Sequence, residues 1–302
     1  MQHWVTYPIV THPANPELLS RDGILRFARA AEAAGFDGIG FTDHPAPSAK
    51  WLAGGGHDSL DPFAALGFVA AATDRLHLIP NIVVLPYRNP FHVAKAAATL
   101  DLVSGGRFVL STAIGYLRSE YGALGVDFDR RNELFDESLD IIRRAWAGEE
   151  IVHEGSTFTA RGQVQRPQPG RIPIWIGGNS QLSRRRVAAV GDGWNPFPAP
   201  AALAQTAKTP VLETVDDLAG MLDYLWRMVD EAGRDRTTID VAFGTPSGGN
   251  PANPDFNADQ HLAALDELAG LGVTWNGVGV PGDSLAHAIE VLDRYGEQVI
   301  RA

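Results

Sequence analysis

The stretch Ile172-Pro173-Ile174-Trp175-Ile176-Gly177-Gly178-Asn179-Ser180, continuing through 181–190 to Gly193-Trp194-Asn195, decides the fold. Ile172–Ile176 is a short apolar run and reads as a buried strand. Two glycines turn the chain, and Ser180 offers an N-cap oxygen to a helix that runs to Val190. Gly193-Trp194-Asn195 is a second short strand. Strand, helix and strand in so few residues make a parallel pair with a helical crossover.

The same rhythm extends outward in both directions. Upstream, a first strand spans His3–Val10. A helix capped by Ser20 follows, with apolar positions Ile24, Leu25, Phe27, Ala28, Ala31 and Ala34, stopped by Gly35. Gly38–Phe41 is the second strand. Asp61-Pro62 opens a helix to about Thr73, and Leu76–Leu85 is the third strand. Asn89-Pro90 starts a helix through Leu102 that ends at Gly105-Gly106. Phe108–Ala113 is the fourth strand, and a long helix spans Arg131–Trp146.

Residues 151–170 break the rhythm. Thr157-Phe158-Thr159 and Val164-Gln165 flank a turn at Arg161-Gly162, which predicts a hairpin insertion closed by Pro167 and Pro169. Downstream lie a Pro/Ala-rich stretch (196–210), a helix at Val215–Ala232, a strand at Ile239–Gly244 and a Gly/Pro/Asn loop (246–257). A helix at Ala258–Ala269, a strand at Val273–Val280 and a helix at Ser284–Tyr295 follow.

Eight strand-then-helix units without an obvious linker predict one α/β domain over residues 1–302. Its form would be a closed (β/α)8 TIM barrel with insertions. An open dinucleotide-binding sheet would show a Gly-rich fingerprint after its first strand. Here that loop is Thr11-His12-Pro13-Ala14-Asn15-Pro16.

Composition narrows the function. There are 25 Lys+Arg against 36 Asp+Glu, a net charge of −11, which argues against nucleic-acid or anionic-membrane partners. There is no cysteine, hence no disulfide, thiolate nucleophile, iron–sulfur cluster or Cys-type zinc site. His44, His57, Asp58 and Asp61 fit no standard metal-ligand spacing, and no P-loop or Gly-x-Ser-x-Gly elbow occurs. Met1-Gln2-His3-Trp4-Val5 has no basic segment leading into a long apolar run. No signal peptide or membrane span is therefore expected, and a cytoplasmic protein is.

In a barrel, chemistry gathers at the C-terminal ends of the strands. Gly177-Gly178-Asn179-Ser180 lets backbone N–H groups approach an anion at a helix N-terminus. One of Arg184, Arg185 and Arg186 lies within reach of a phosphate held there. The alternative is a plain tight turn with solvated arginines. His44, beside Asp43, ends the second strand and can give or take a proton near neutral pH, although a lone histidine is more often structural. Trp4, Tyr7, Phe41, Trp51, Tyr116, Trp194 and Phe197 lie near the expected mouth and could sandwich a flat ring, or simply belong to the core.

Several segments resemble the bacterial luciferase-like superfamily of barrels. They are Ala34-Gly35-Phe36-Asp37-Gly38, Thr42-Asp43-His44, Val84-Leu85-Pro86-Tyr87-Arg88-Asn89-Pro90 and 99–107 (ending Gly105-Gly106-Arg107). Pro173–Asn179 and Gly191-Asp192-Gly193-Trp194 complete the set. Order and spacing hold from about residue 20 to 195. Thr-Asp-His and Leu-Pro-Tyr-Arg-Asn-Pro look more like the branch that uses the deazaflavin F420 than the branch of FMN-dependent monooxygenases.

The resemblance implies hydride transfer to or from F420, with FMN as the alternative cofactor. It implies His44 and Tyr116 as catalytic residues. Asp43, Asn81, Ile82, Gly115, Gly177, Gly178, Asn179, Ser180 and Arg184 would contact the cofactor, with a cis peptide at Asn81–Ile82. It also implies a homodimer. Where some relatives carry a catalytic Glu after the strand-four glycine, this chain has Tyr116 after Gly115. That favours reduction of an activated C=C, C=N or carbonyl over sugar-phosphate oxidation; Glu120, four residues on, is a possible substitute. Rival readings are a flavin monooxygenase of the same fold and a flavin or deazaflavin carrier without turnover.

Overall fold

The computed structural model describes residues 1–302. Its strands in chain order are β1 (Gln2–Thr6), β2 (Gly38–Gly40), β3 (His77–Leu78), β4 (Val83–Val84), β5 (Leu110–Ala113), β6 (Ile151–Glu154), β7 (Thr159–Gln163), β8 (Ile174–Gly177), β9 (Gly193–Asn195), β10 (Asp240–Val241) and β11 (Trp275–Val278). All pairings are parallel except β6 with β7. One sheet runs β11-β1-β2-β3 and the other β10-β9-β8-β5-β4. Single parallel bridges, Leu78 to Phe108 and Ala242 to Trp275, join them on both sides and close the barrel.

The third strand of the sequence reading is interrupted. β3 pairs with β2, β4 pairs with β5, and residues 79–82 between them leave the ladder. The Asn81–Ile82 peptide is cis, at the place the family resemblance implies. Counting β3 and β4 as one barrel position gives the eight positions of a (β/α)8 barrel.

The helices are α1 (Arg21–Ala34), α2 (Ala49–Ala53), α3 (Pro62–Ala72), α4 (Pro90–Ser104), α5 (Arg118–Ala123), α6 (Arg131–Trp146), α7 (Gln181–Val190), α8 (Ala201–Ala207), α9 (Val215–Glu231), α10 (Ala258–Gly270) and α11 (Leu285–Tyr295). Their ends follow local chemistry. Ser20 Oγ accepts from the Gly23 N–H, and Gly35 closes α1 at φ 99°. Asn89 caps α4 with Pro90 behind it, and Gly105 ends it at φ 71°. The Arg107 guanidinium donates to the carbonyls of Ala70, Thr73 and Leu76 and so satisfies the end of α3. None of the helices is long and apolar enough to cross a membrane.

The main core lies between sheet and helices. A second cluster fills the barrel interior: Trp4, Ile79, Val109, Trp175, Ala242 and Trp275. Trp175 and Trp275 meet edge to face with centroids 5.3 Å apart. Gly277 makes room for the indoles, because a Cβ there would lie 3.1 Å from Trp4 Nε1.

Three expectations need correction. The hairpin exists, but its turn is at 155–158 and Arg161-Gly162 lies inside β7. Gly162 at φ 94° bends that strand without ending it. The Pro/Ala-rich stretch contains α8, pinned at its base by an antiparallel bridge between Ala199 and Leu212. The short helices α2 and α5, which carry little apolar periodicity, also arise within stretches expected to be loops.

Candidate active site

A cavity of about 350 Å3 opens at the C-terminal ends of the barrel strands. The chain beyond β2 supplies Thr42, Asp43 and His44 to its lining. The interrupted third strand supplies Asn81 and Ile82, the chain beyond β5 supplies Gly115 and Tyr116, and the β8 turn supplies Gly177 to Ser180. Ten of the eleven residues expected to act on substrate or cofactor therefore share one cavity. Arg184 is the exception.

Asp43 is buried, and both of its oxygens are engaged. Oδ2 accepts from the Val84 N–H at 3.0 Å and Oδ1 from Arg88 Nη2 at 2.7 Å. Burial pushes its carboxyl up, against the opposing pull of Arg88. Asp43 thus locks the end of β2 to β4 and the segment after it, at the wall of the cavity. His44, the next residue, has a different set of partners.

His44 Nδ1 lies 3.0 Å from Oε2 of Glu120, which is fully buried on α5. Glu120 also accepts from the Ala46 N–H on Oε1 and from the Tyr87 hydroxyl on Oε2, each at 3.1 Å. Burial, reinforced by Glu120, drives the Tyr87 phenol far above its usual range, so Tyr87 stays a donor. Trp51 covers His44 at 4.6 Å, and His57 approaches edge-on at 5.1 Å. The Tyr116 ring stands 6.3 Å away at the mouth, its phenol raised first by burial and then by Glu120. Glu120 is not exposed in the cavity, so it does not replace the carboxylate that some relatives carry after the strand-four glycine.

Two glycines shape the opposite walls. Gly115 has φ 67°, and a Cβ there would lie 2.5 Å from Val84 Cγ1. Gly178 has φ 99°, which an L side chain rarely adopts. Ser180 caps α7 by accepting the Ser183 N–H at 3.1 Å. Asn179 is buried and faces the protein: it donates to the Phe197 carbonyl and accepts the Phe197 N–H, tying down the excursion that carries α8.

Arg184 corrects the sequence reading. Its guanidinium donates to the Met221 carbonyl at 2.9 Å and stacks over Tyr224 at 4.9 Å, inside the seam between α7 and α9. Arg186 is engaged by Asp136, and Arg185 faces solvent. The cation that does line the cavity is Lys208, at φ 51° just beyond α8. Sequence spacing gave no pointer to it, because the return of 196–210 over the β8 turn depends on the tertiary anchor at Asn179. That stretch does line the cavity, through Phe197, Leu203, Ala207, Lys208 and Thr209. The 246–257 loop, expected to help build the pocket, contributes no lining residue, and Ser247 of this loop instead receives His261 Nδ1 at 2.7 Å.

The arrangement offers an imidazole with its Nδ1 fixed on Glu120, an aromatic wall, and an open glycine turn at a helix start. The profile of the family described as luciferase-like monooxygenase matches residues 8–246. An F420-dependent glucose-6-phosphate dehydrogenase from Microbacterium testaceum is 28% identical over 236 residues. The match covers 76% of this chain and 65% of that relative, so the chain spans slightly less than two thirds of its length. A monooxygenase from Streptomyces bottropensis superposes with a TM-score of 0.77 at 21% identity, covering 100% of this chain and 99% of that one. The F420-dependent tetrahydromethanopterin reductase from Methanopyrus kandleri gives 0.74 at 16%, covering 99% and 98%.

Proposed function

Because this chain belongs to the luciferase-like monooxygenase family, we propose that it is an F420-dependent oxidoreductase. It would pass a hydride between the deazaflavin and a small organic substrate, reducing an activated C=C, C=N or carbonyl group. The observation that carries the reading is the placement of His44 in one cavity with the open Gly177–Ser180 turn. The F420 dependence of the Microbacterium testaceum relative, as its name gives it, supports this choice of cofactor.

The residues fit such a group. Gly115 and Gly178, at φ 67° and 99°, line the cavity with bare backbone, and Ile82 adds an apolar side chain to the lining. Gly177 to Ser180, with Lys208 nearby, would hold the cofactor's phosphate. When bound, F420 supplies two-electron hydride chemistry from a ring carbon, so the protein has to orient the partners, exclude water and handle a proton. His44 is the group placed to move that proton at Nε2. Tyr116 stands over the mouth to pack on, or donate to, the substrate. The reading extends to a cytoplasmic homodimer.

Parallel titrations of the apo-protein with F420 and with FMN test it. Saturable F420 binding with weak FMN binding is the expected result. Tight FMN binding, no F420 binding and oxygen consumption with reduced FMN would replace it with the monooxygenase reading.

A further inference from the structure

Glu120 is more than a buried carboxylate. Each of its oxygens has a fixed task, and together these tasks determine which nitrogen of His44 carries a proton. Oε1 takes the backbone N–H of Ala46, a donor that cannot be reversed. Oε2 takes the Tyr87 hydroxyl and faces His44 Nδ1 at 3.0 Å. An ionised carboxylate only accepts, so Nδ1 must carry its proton toward Glu120. The other ring nitrogen, Nε2, hydrogen-bonds to no protein group, and His44 lines the cavity.

We propose that Glu120 is a positioning residue that holds His44 as the Nδ1–H tautomer, so that Nε2 faces the substrate as the proton-exchanging atom. The proposal rests on the oxidoreductase reading for its use, but its geometry does not depend on the cofactor. In a reduction, the hydride and its electron pair come from the reduced deazaflavin. The Nε2 proton of the imidazolium goes to the substrate atom beside the carbon that takes the hydride. Neutral His44 then remains as the Nδ1–H tautomer, still donating that N–H to Glu120. In the reverse direction Nε2 receives the proton, and the charge appears next to the same carboxylate. Tyr87 is the second brace, since its hydroxyl keeps Oε2 turned toward the ring.

The arrangement dictates an informative substitution. In Glu120→Gln the Ala46 N–H still demands an oxygen at the Oε1 position. The amide nitrogen is therefore driven into the Oε2 position, where it donates to Nδ1 while the rotatable Tyr87 hydroxyl turns to accept its second N–H. That reverses the tautomer while keeping size and shape.

The test is a long-range 1H–15N correlation spectrum of histidine-labelled apo-protein, with His44 assigned by its loss in His44→Asn. The native protein is expected to show Nδ1–H with a bare Nε2, and Glu120→Gln to show Nε2–H. With cofactor and substrate, Glu120→Gln should lose kcat at least tenfold, with KM and cofactor affinity changed less than threefold. An Nε2–H tautomer in the native protein would overturn the proposal, and so would an unchanged tautomer and kcat in the variant. If Glu120→Gln does not fold, the native spectrum and Tyr87→Phe decide: Tyr87→Phe should keep Nδ1–H, because Glu120 remains. Should F420 fail to bind while Nδ1–H is observed, the cofactor reading falls and the positioning role stands.

Discussion

Arg88 reaches back across the barrel mouth to Asp43 at 2.7 Å and extends the same Nη2 to Asp61 at 3.0 Å. One guanidinium thus joins the end of β2, the segment after β4 and the cap of α3. Both Asp43 oxygens are used, and Asp43 is adjacent in sequence to His44. The carboxylate that resemblance assigns to the cofactor is anchored by these protein partners at the cavity wall, next to the histidine.

Removing the guanidinium leaves a buried carboxylate without its partner. Arg88→Met should therefore destabilise the fold by about 3–5 kcal/mol. Asp61→Asn should cost less than about 1 kcal/mol, since Asp61 is half-exposed and Asn is an equally good cap. Urea unfolding of the two variants checks the contrast.

Acid should loosen the fold through buried histidines. His3 is pushed down from 6.5 to about 4, by burial first. Its folded value lies below its unfolded one, so its contribution is complete above pH 6.5 and is lost as pH falls toward 4. Burial likewise lowers His57, His77 and His261. The His3 part amounts to on the order of 3 kcal/mol. Stability measured across that window should fall, and His3→Asn should flatten the fall; an equal slope in the variant would refute it.

Gly178→Ala should weaken cofactor binding. A left-handed L-residue costs about 1–2 kcal/mol, roughly a five- to thirtyfold loss if it is expressed in binding. Gly67→Ala, in open space on α3, is the control and should bind normally, with equal or slightly higher stability. F420 titration of both proteins gives the answer.

Arg184→Met and Lys208→Met should separate packing from binding. Arg184 holds α7 against α9, so its loss should lower stability by about 1–3 kcal/mol and leave cofactor affinity within roughly twofold. Lys208→Met should keep the stability but weaken F420 binding severalfold and reduce its salt dependence. The opposite pattern would restore the phosphate role to Arg184.

Local chemistry explains why most elements were legible in the sequence. Ser20, Asn89 and Ser180 cap the helices they announce, and Gly35 and Gly105 end them. The strand ends named Asp43, His44, Gly115 and the Gly177 turn because barrel geometry brings all such ends to one mouth. What sequence could not give is the direction of side chains after a strand has stopped. Asp43 and Asn179 turn to protein partners, and Arg184 faces a helix seam. The link from Glu120 to His44 joins positions 76 residues apart, with no pattern in the chain that marks it.

The tryptophans set in the barrel have an optical consequence. Trp4, Trp175 and Trp275 are sealed from solvent, so their blue-shifted emission should change only when the barrel opens. Trp51 is half-buried against His44, and Trp194 donates to the Gly178 carbonyl beneath the turn. These two indoles should dim as the cavity fills. A single emission spectrum would then resolve into one signal for folding and another for occupancy, with no label attached.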